Sequence, residues 1–261
     1  MNEHGHFAVA NGLRIYYETH GPDDKEVPVV LLHGGVGGIE MFGPNLPALA
    51  RNRRVIAVDL PNHGRSANVD GVLRHASMAD PIAALIEQLG VQQIDLIGYS
   101  LGGGVALQTT IRHPELVRTL VIVSSPFRRD AFYPEILAIF DQMGASFGTM
   151  MKQSPMATLY PERDWEQLFE KMGDLQRQDF DWSREVAKIR APMMLIFADA
   201  DTYRTEHIID FYKLIGGGQR DAGLDGSRRS PNQLAIIPGT THYNLLDTTT
   251  VADMVEKFLP R

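Results

Sequence analysis

One serine in this sequence lies where it can act as a nucleophile. Ser100 is the centre of the pentapeptide Gly-Tyr-Ser-Leu-Gly at Gly98–Gly102, which follows the apolar run Ile94–Ile97 and precedes a helix-like segment. The two glycines allow a sharp strand-to-helix turn, because a side chain at either position would collide with the neighbouring strand or helix. Such a turn exposes the serine oxygen at a helix N-terminus, where backbone N–H groups favour negative charge. The pattern therefore predicts attack by a serine on a carbonyl carbon.

A serine hydroxyl needs a base at neutral pH, and that base needs an orienting acid. For a serine on a turn of this kind, the order along the chain is serine, acid, histidine. Only His113, His207 and His242 follow Ser100. His113 and His207 lie in helix-like segments, whereas His242 follows the strand-like run Leu234–Ile237 through a short loop. His242 is therefore the predicted base.

The acid is expected in a loop at the same edge of the sheet. The strand-like run Met193–Phe197 is followed by Asp199 and Asp201, and both are eligible. We favour Asp201, because the residue nearer the strand is usually consumed in fixing the turn. Asp130 remains a further possibility. Ser124 and Ser125, which follow the preceding strand-like run, offer no carboxylate.

A glycine-rich loop is predicted to stabilise the oxyanion that the attack creates. His33–Gly38 contains glycine at all but two of its positions and follows the strand-like run Val29–Leu32. Backbone N–H groups near Gly35 can therefore face the serine, and the N–H of Leu101 is the expected second donor. Glycines after a strand can instead hold a phosphate, but no Lys-Ser or Lys-Thr pair follows here, as a phosphate-binding loop requires.

The elements that must hold these residues are predicted from short apolar runs separated by helical patterns. Asn11-Gly12 separates two strand-like segments near the start, which predicts an antiparallel hairpin. The later runs mostly lack polar alternation and are typical of strands covered on both faces of a parallel sheet. The strand-like runs are 29–32, 54–58, 94–97, 120–123, 193–197 and 234–237, and the helix-like segments are 77–89, 103–113, 206–215 and 251–258. We therefore predict an α/β fold with a mostly parallel sheet and helices on both faces.

About sixty residues between Phe127 and Arg190 break this rhythm, because they carry helix-like patterns and no convincing strand. We interpret 127–190 as a helical lid inserted into a core that is formed by 1–126 and 191–261. Its large apolar residues and unbranched methionines predict an adaptable wall over the serine. The predicted substrate-binding residues are Gly34, Val36, Phe140, Met143, Phe147 and Met151.

Composition and charge argue against several classes of protein. The chain has 261 residues, of which 44% are hydrophobic, and this is enough for a substantial core. A formal net charge of −7 without blocks of like charge argues against a nucleic-acid partner. No apolar stretch approaches a membrane span and the first six residues are polar, so we expect a cytoplasmic protein without a membrane partner. The absence of cysteine excludes disulfides and thiolate chemistry.

Taken together, these motifs resemble those of the α/β-hydrolase superfamily over essentially the whole chain. The resemblance is carried by His33-Gly34-Gly35, the turn Asp59–Ser66, the pentapeptide Gly98–Gly102, Asp199-Ala200-Asp201 and Gly239–His242. It implies an eight-stranded sheet with a helical cap, and it assigns Ser100, Asp201 and His242 to a catalytic triad. It implies neither a metal nor an organic cofactor.

The expected function is a metal-independent serine hydrolase that cleaves a small carboxylic ester or lactone through an acyl-enzyme. Hydrolysis of a carbon–carbon bond and perhydrolysis use the same triad and remain alternatives. A receptor that senses a ligand on a retained hydrolase scaffold is a third possibility. The substrate itself and the oligomeric state, monomer or homodimer, are left open.

Overall fold

A computed structural model describes residues 4–22 and 26–260. The polar segment at the N-terminus is only partly among them, since residues 1–3 lie outside the described residues. The strands are β1 (Gly5–Ala10), β2 (Leu13–His20), β3 (Val29–Leu32), β4 (Val55–Val58), β5 (Ile94–Tyr99), β6 (Val117–Val123), β7 (Met193–Ala200) and β8 (Gln233–Thr241). The helices are α1 (Asn45–Leu49), α2 (His75–Gln88), α3 (Leu101–Arg112), α4 (Pro134–Gln142), α5 (Ala145–Met151), α6 (Pro155–Leu159), α7 (Trp165–Arg177), α8 (Ser183–Val186), α9 (Thr205–Leu214) and α10 (Thr250–Phe258), with short 3-10 turns at Ile39–Phe42 and Arg129–Ala131.

All eight strands form one sheet in the order β1-β2-β4-β3-β5-β6-β7-β8. The hairpin β1–β2 is antiparallel, as its Asn-Gly turn predicts, and β2 pairs antiparallel with β4. Every further pair, from β4–β3 to β7–β8, is parallel. The predicted eight-stranded, mostly parallel sheet is confirmed.

The sheet is buried on both faces, because alternate side chains of its central strands enter two separate cores. Val30 and Leu32 of β3 pack in the core that holds α2 and α3. Val29 and Leu31 pack in the opposite core, to which α1 and α10 contribute. All four side chains are fully buried, which explains why the strand reads as an unbroken apolar run.

All four predicted helices begin earlier in the structure than their apolar pattern indicates, α2 and α3 by two residues and α9 and α10 by one. α2 begins at His75 rather than at Ser77, whose hydroxyl accepts the N–H of Arg74 at 3.0 Å and closes the first turn. α3 begins at Leu101 rather than at Gly103, directly after the serine. The helix α1 and the 3-10 turn that precedes it were not predicted, because each is too short to show a helical period.

The segment between β6 and β7 leaves the sheet and returns to it at one point. Arg128 and Asp181 form an antiparallel bridge there. The N–H of Arg129 donates to the carbonyl of Phe180 at 2.9 Å, and the N–H of Trp182 donates to the carbonyl of Phe127 at 3.0 Å. We call this pairing the neck; the helices α4 to α7 lie beyond it. The division of the chain into core and lid stays an interpretation.

No helix within residues 4–22 and 26–260 is both long and apolar enough to cross a membrane. The cytoplasmic location remains a prediction.

Candidate active site

Four polar residues follow directly on the carboxyl ends of four neighbouring strands. Ser100 comes after β5, Ser124 after β6, Asp201 after β7 and His242 after β8. Because these strands are adjacent and parallel, their carboxyl ends meet at one edge of the sheet. The fold thus brings together side chains that are up to 142 residues apart in the chain.

Ser100 has a backbone conformation that only the local turn can impose. Its φ of 52° and ψ of −118° lie in a region that residues with side chains rarely adopt. A Cβ atom on Gly98 would lie 2.2 Å from the carbonyl oxygen of Gly102, and one on Gly102 would lie 2.1 Å from that of Leu32. Both glycines of the pentapeptide are therefore required by close packing.

His242 presents one ring nitrogen to the serine. Its Nε2 lies 3.0 Å from Oγ of Ser100. The Tyr99 hydroxyl donates to the His242 carbonyl at 2.5 Å, and the two rings stack with their centroids 5.5 Å apart. Tyr203 packs edge-on against the same imidazole. The ring is thus fixed from two sides, and the His242 side chain is 11% exposed.

Asp201 faces the other nitrogen of the ring. Its Oδ1 lies 3.0 Å from Nδ1 of His242, and its side chain is 1% exposed. The backbone N–H groups of Ala198 and Thr202 also donate to this carboxylate, at 3.1 Å and 2.8 Å. Burial opposes ionisation of Asp201, but the hydrogen bonds from His242 and Ser124 outweigh it and hold its pKa below the ordinary value.

Asp199, the other eligible carboxylate, does not reach the histidine ring. It accepts hydrogen bonds from the N–H groups of Gly239 and Thr240, at 2.9 Å and 3.1 Å. These bonds lower its pKa and tie the end of β7 to the last residues of β8, which extends to Thr241 in place of the short loop expected before His242. The geometry therefore favours Asp201 over Asp199 as the partner of the base. Asp130 is exposed and pairs with Arg128, away from this cluster.

Ser124 belongs to the same network, although its lack of a carboxylate had set it aside. Its hydroxyl donates to Oδ2 of Asp201 at 2.5 Å and lies 2.7 Å from Nδ1 of His242. Its φ is 48°, and its side chain is fully buried. A serine directly after a buried parallel strand was the one available signal for this position.

The predicted oxyanion donors lie beside the serine. Gly35 and Leu101 both line the cavity that opens at Ser100. A Cβ atom on Gly35 would lie 3.8 Å from the Cβ of Leu101. Leu101 is the first residue of α3, where a helix leaves its N–H groups without intrahelical acceptors. Val36 has a φ of 65°, which is strained for a β-branched residue and marks a constrained loop next to Gly35.

A cavity of about 230 Å³ adjoins Ser100 and His242. Of the predicted substrate-binding residues, Val36, Phe140 and Met143 line it. The other three are held elsewhere: Gly34 packs on the Tyr99 ring, Phe147 on the Phe169 ring, and Met151 accepts a hydrogen bond from Ser154. Polar side chains that sequence reasoning missed also line the cavity, and they are His75, Ser125 and Gln176.

Three further polar residues have structural surroundings. His113 caps the C-terminus of α3 and lies 3.1 Å from Asp80. His207 is buried in α9 and stacks on Phe127. Asp59, in the turn interpreted as structural, accepts the N–H groups of Ile39 and Arg65 at 2.9 Å and 2.8 Å.

The arrangement has the parts of a proton relay. A hydroxyl whose neighbour is an imidazole can lose its proton to that ring as it attacks, and a buried carboxylate on the far nitrogen stabilises the imidazolium. Donors at the start of a helix can bind the oxyanion that forms. Among the described residues, no group of histidine and carboxylate side chains is arranged to hold a metal ion.

Comparison with known proteins places these features in a family. A family model described as alpha/beta hydrolase fold matches residues 27–181. A putative carbamate hydrolase, RutD, from Stutzerimonas stutzeri is 31% identical over 158 residues, which cover 58% of each chain. A 2-hydroxymuconate semialdehyde hydrolase from a Pseudomonas species is 35% identical over 127 residues, which cover 47% of this chain and 44% of the relative. These matches span about half the length of both relatives.

A solved structure extends the similarity to nearly the whole chain. A thermophilic esterase from Thermogutta terrifontis superposes with a TM-score of 0.74 at 18% identity, and the superposition covers 97% of both chains. At this identity the likeness concerns the fold.

Proposed function

The chain belongs to the alpha/beta hydrolase fold family, and from this premise we propose that it is a serine hydrolase that cleaves carboxylic esters or lactones. The observation that carries the proposal is the 3.0 Å approach of Nε2 of His242 to Oγ of Ser100, with Asp201 on the opposite side of the ring. A serine held in a strained turn with a base at hydrogen-bonding distance is the arrangement that nucleophilic acyl transfer needs.

The proposed reaction has two halves. Ser100 attacks the substrate carbonyl while His242 takes its proton, and the N–H groups of Gly35 and Leu101 bind the oxyanion. The tetrahedral intermediate collapses to an acyl-enzyme as the imidazolium returns the proton to the leaving alcohol. Water, deprotonated by His242, then attacks the acyl-enzyme and releases the acid and the free serine. Asp201 stays ionised and stabilises the imidazolium in both halves.

The surroundings of the serine support a small and largely apolar substrate. The lining of the 230 Å³ cavity includes Val36, Phe140 and Met143, and none of its described lining residues is an aspartate, glutamate, lysine or arginine. We therefore place the acyl or alcohol chain of the substrate against these side chains. The partner is a small molecule, and the proposal involves neither a nucleic acid nor a metal cofactor.

Hydrolysis of a carbon–carbon bond is the second candidate, and the relative named 2-hydroxymuconate semialdehyde hydrolase favours it. The same serine and histidine can attack a ketone, but the leaving group is then a carbanion that must be stabilised by a conjugated carbonyl of the substrate. The relative named putative carbamate hydrolase adds carbamates to the carbonyl compounds worth testing. Perhydrolysis differs only in the use of hydrogen peroxide in place of water.

Turnover decides between these functions. We propose to measure kcat/KM for short and medium aryl esters, simple lactones, an aryl carbamate and a conjugated diketone, with and without hydrogen peroxide. We expect many catalytic cycles on at least one ester or lactone and a fluorophosphonate adduct on Ser100. Fast diketone turnover with inert esters would favour the second candidate. A single slow covalent event with every substrate would favour a ligand-sensing receptor.

A further inference from the structure

Two polar side chains contact the first turn of α3, which begins directly after the serine. Ser125 and His75 both line the cavity that opens at Ser100. Neither takes part in the proton relay. Their position next to the nucleophile makes them candidates for contact with a bound substrate.

The glycines of α3 bring these two side chains close to the helix. A Cβ atom on Gly103 would lie 2.8 Å from Oγ of Ser125. A Cβ atom on Gly104 would lie 2.8 Å from Nε2 of His75. Any other residue at either position would displace the polar group, so the pair of glycines is a packing requirement of this arrangement.

Both polar groups are available to a ligand. The Oγ of Ser125 is buried without a hydrogen-bond partner among the described residues, and the residue is 1% exposed. A buried hydroxyl without a partner loses the free energy of the hydrogen bonds that it would make in water. His75 is held between Gly104 and the rings of Phe180 and Trp182, whose centroids lie 5.7 Å and 5.0 Å from its own. Burial lowers its pKa to about 4, so the ring is neutral near pH 7.

We propose that Ser125 and His75 form a subsite for a second, uncharged oxygen function of the substrate, such as a ketone or hydroxyl, separate from the carbonyl that Ser100 attacks. The inference rests on the proposed function, because it describes the substrate of the same site. Both residues can donate one hydrogen bond to such an oxygen. A carboxylate fits less well, because no lysine or arginine lies among the described residues that line the cavity.

The distance between the two sites sets the spacing within the substrate. Gly103 and Gly104 are three and four residues after Ser100, which is about one helical turn, or about 5.4 Å. An extended chain of four bonds spans a similar distance. The second oxygen is therefore expected on the fourth atom from the attacked carbonyl carbon.

A pair of matched esters tests the subsite. The 4-nitrophenyl esters of hexanoic acid and 5-oxohexanoic acid differ only in the ketone, and pentyl and 3-oxopentyl acetate test the alcohol side of the substrate. We expect the ratio of kcat/KM for the oxo ester to that for its parent to fall about two- to tenfold in Ser125→Ala, which is the size of one neutral hydrogen bond. His75→Phe keeps an aromatic ring against Phe180 and Trp182 and should lower the same ratio.

The control is Ser227→Ala, an exposed serine in the loop before β8, in which the ratio should stay at the parental value. Parental ratios in Ser125→Ala and His75→Phe for both pairs of esters would overturn the subsite and leave the proposed function intact. If the parent protein hydrolyses neither an ester nor a lactone, the proposed function fails; if it hydrolyses no ester, the ratio of the oxo ester to its parent cannot be measured. The subsite is then judged by calorimetric binding of the ethyl esters of the two acids to Ser100→Ala. Tighter binding of the oxo ester that is lost in Ser100→Ala/Ser125→Ala supports the subsite, and equal binding of the two esters overturns it.

Discussion

The Ser124 hydroxyl lies 2.7 Å from Nδ1 of His242, closer than the carboxylate oxygen of Asp201 at 3.0 Å. It donates its own proton to the other oxygen of Asp201, so towards the ring it can only accept. The N–H at Nδ1 is therefore shared between a hydroxyl and a carboxylate. This arrangement makes Ser124 a candidate positioning residue for the base.

Removal of that hydroxyl is expected to lower kcat about 10- to 150-fold with little change in KM, because a hydrogen bond to a charged group contributes about 1.5–3 kcal/mol. Steady-state kinetics of Ser124→Ala test this. Ser124→Gly should lose the same activity but unfold at a higher temperature than Ser124→Ala, because glycine tolerates the φ of 48°. Parental kcat in both variants would mean that the hydroxyl only fills space.

Replacements of the two aspartates at the end of β7, Asp199 within the strand and Asp201 directly after it, are expected to differ sharply in their effect on kcat. Asp201→Asn removes the charge that stabilises the imidazolium and should lower kcat on the order of 10⁴-fold. Asp199→Asn weakens only the bonds to Gly239 and Thr240, which are exposed at this edge, and kcat should change a few-fold at most. Parallel kinetics of the two variants provide the comparison. The opposite ranking would transfer the role of the acid to Asp199.

The strained turn at Ser100 predicts a gain in stability when function is removed. Ser100→Ala should lower kcat by about 10⁴-fold or more and leave the unfolding temperature nearly unchanged. Ser100→Gly should be equally inactive but more stable by about 1 kcal/mol, because glycine adopts a φ of 52° without strain. Thermal and urea unfolding of the two variants measure the difference. Equal stability would show that the turn holds no strain.

The residues of 127–190 that line the cavity are expected to set the preference of the protein for the chain length of its substrate. Phe140→Ala and Met143→Ala enlarge the cavity and should shift the ratio of octanoate to acetate ester hydrolysis several-fold, within the ~1–3 kcal/mol that an apolar contact discriminates. Phe147→Ala and Met151→Ala are the matched controls, since these side chains pack on Phe169 and near Ser154. A shift in the controls alone would place the binding wall elsewhere.

The free energy of unfolding is expected to decrease below neutral pH, because buried histidines stay neutral in the folded protein. Burial lowers the pKa of His207 to about 3, and both its ring nitrogens lack partners among the described residues. An unfolded histidine binds a proton near pH 6.5. Between about pH 6.5 and 3 the unfolded chain therefore holds more protons, and stability decreases as the pH falls through this range.

Urea unfolding of His207→Phe at pH 7 and pH 5 isolates this contribution. Phenylalanine preserves the stacking on Phe127, and the variant should lose about 1–2 kcal/mol less on acidification than the parent. It should not become independent of pH, since burial also lowers the pKa of His63 to about 3. His6→Gln, on exposed β1, is the control and should follow the parent. Identical pH slopes in His207→Phe and the parent would contradict the expectation.

Local sequence patterns were sufficient to predict those parts of the fold that a single segment determines. The glycines around Ser100, the Asn-Gly hairpin and the unbroken apolar strands each specify their conformation within a few residues, and the resulting sheet is confirmed. The proximity of Asp201 to His242 followed from the same reasoning, because parallel strands end at one edge. Their catalytic roles remain proposals.

Contacts between side chains of distant segments could not be predicted from local sequence patterns. Ser124 enters the network only because β6 lies between β5 and β7 in the sheet, and strand order is not encoded in a local motif. Phe147 and Met151 were assigned to the cavity because they are large apolar residues of a helix-like segment. The period of such a helix does not determine which face turns towards the serine.

The neck at Arg128 and Asp181 has a consequence for how proteins of this architecture can be recombined. Because the chain departs and returns at paired residues, the segment 129–180 can be exchanged for one of another length while Ser124 and Asp201 keep their places at the ends of β6 and β7. A grafted segment needs ends that match the spacing of two antiparallel strands, about 5 Å, and it must also replace the backbone contacts that 131–133 make with 202–204, directly after Asp201. The neck is thus a candidate junction for chimeras, in which the proposed triad stays with the sheet while the cavity residues Phe140 and Met143 are replaced with the graft.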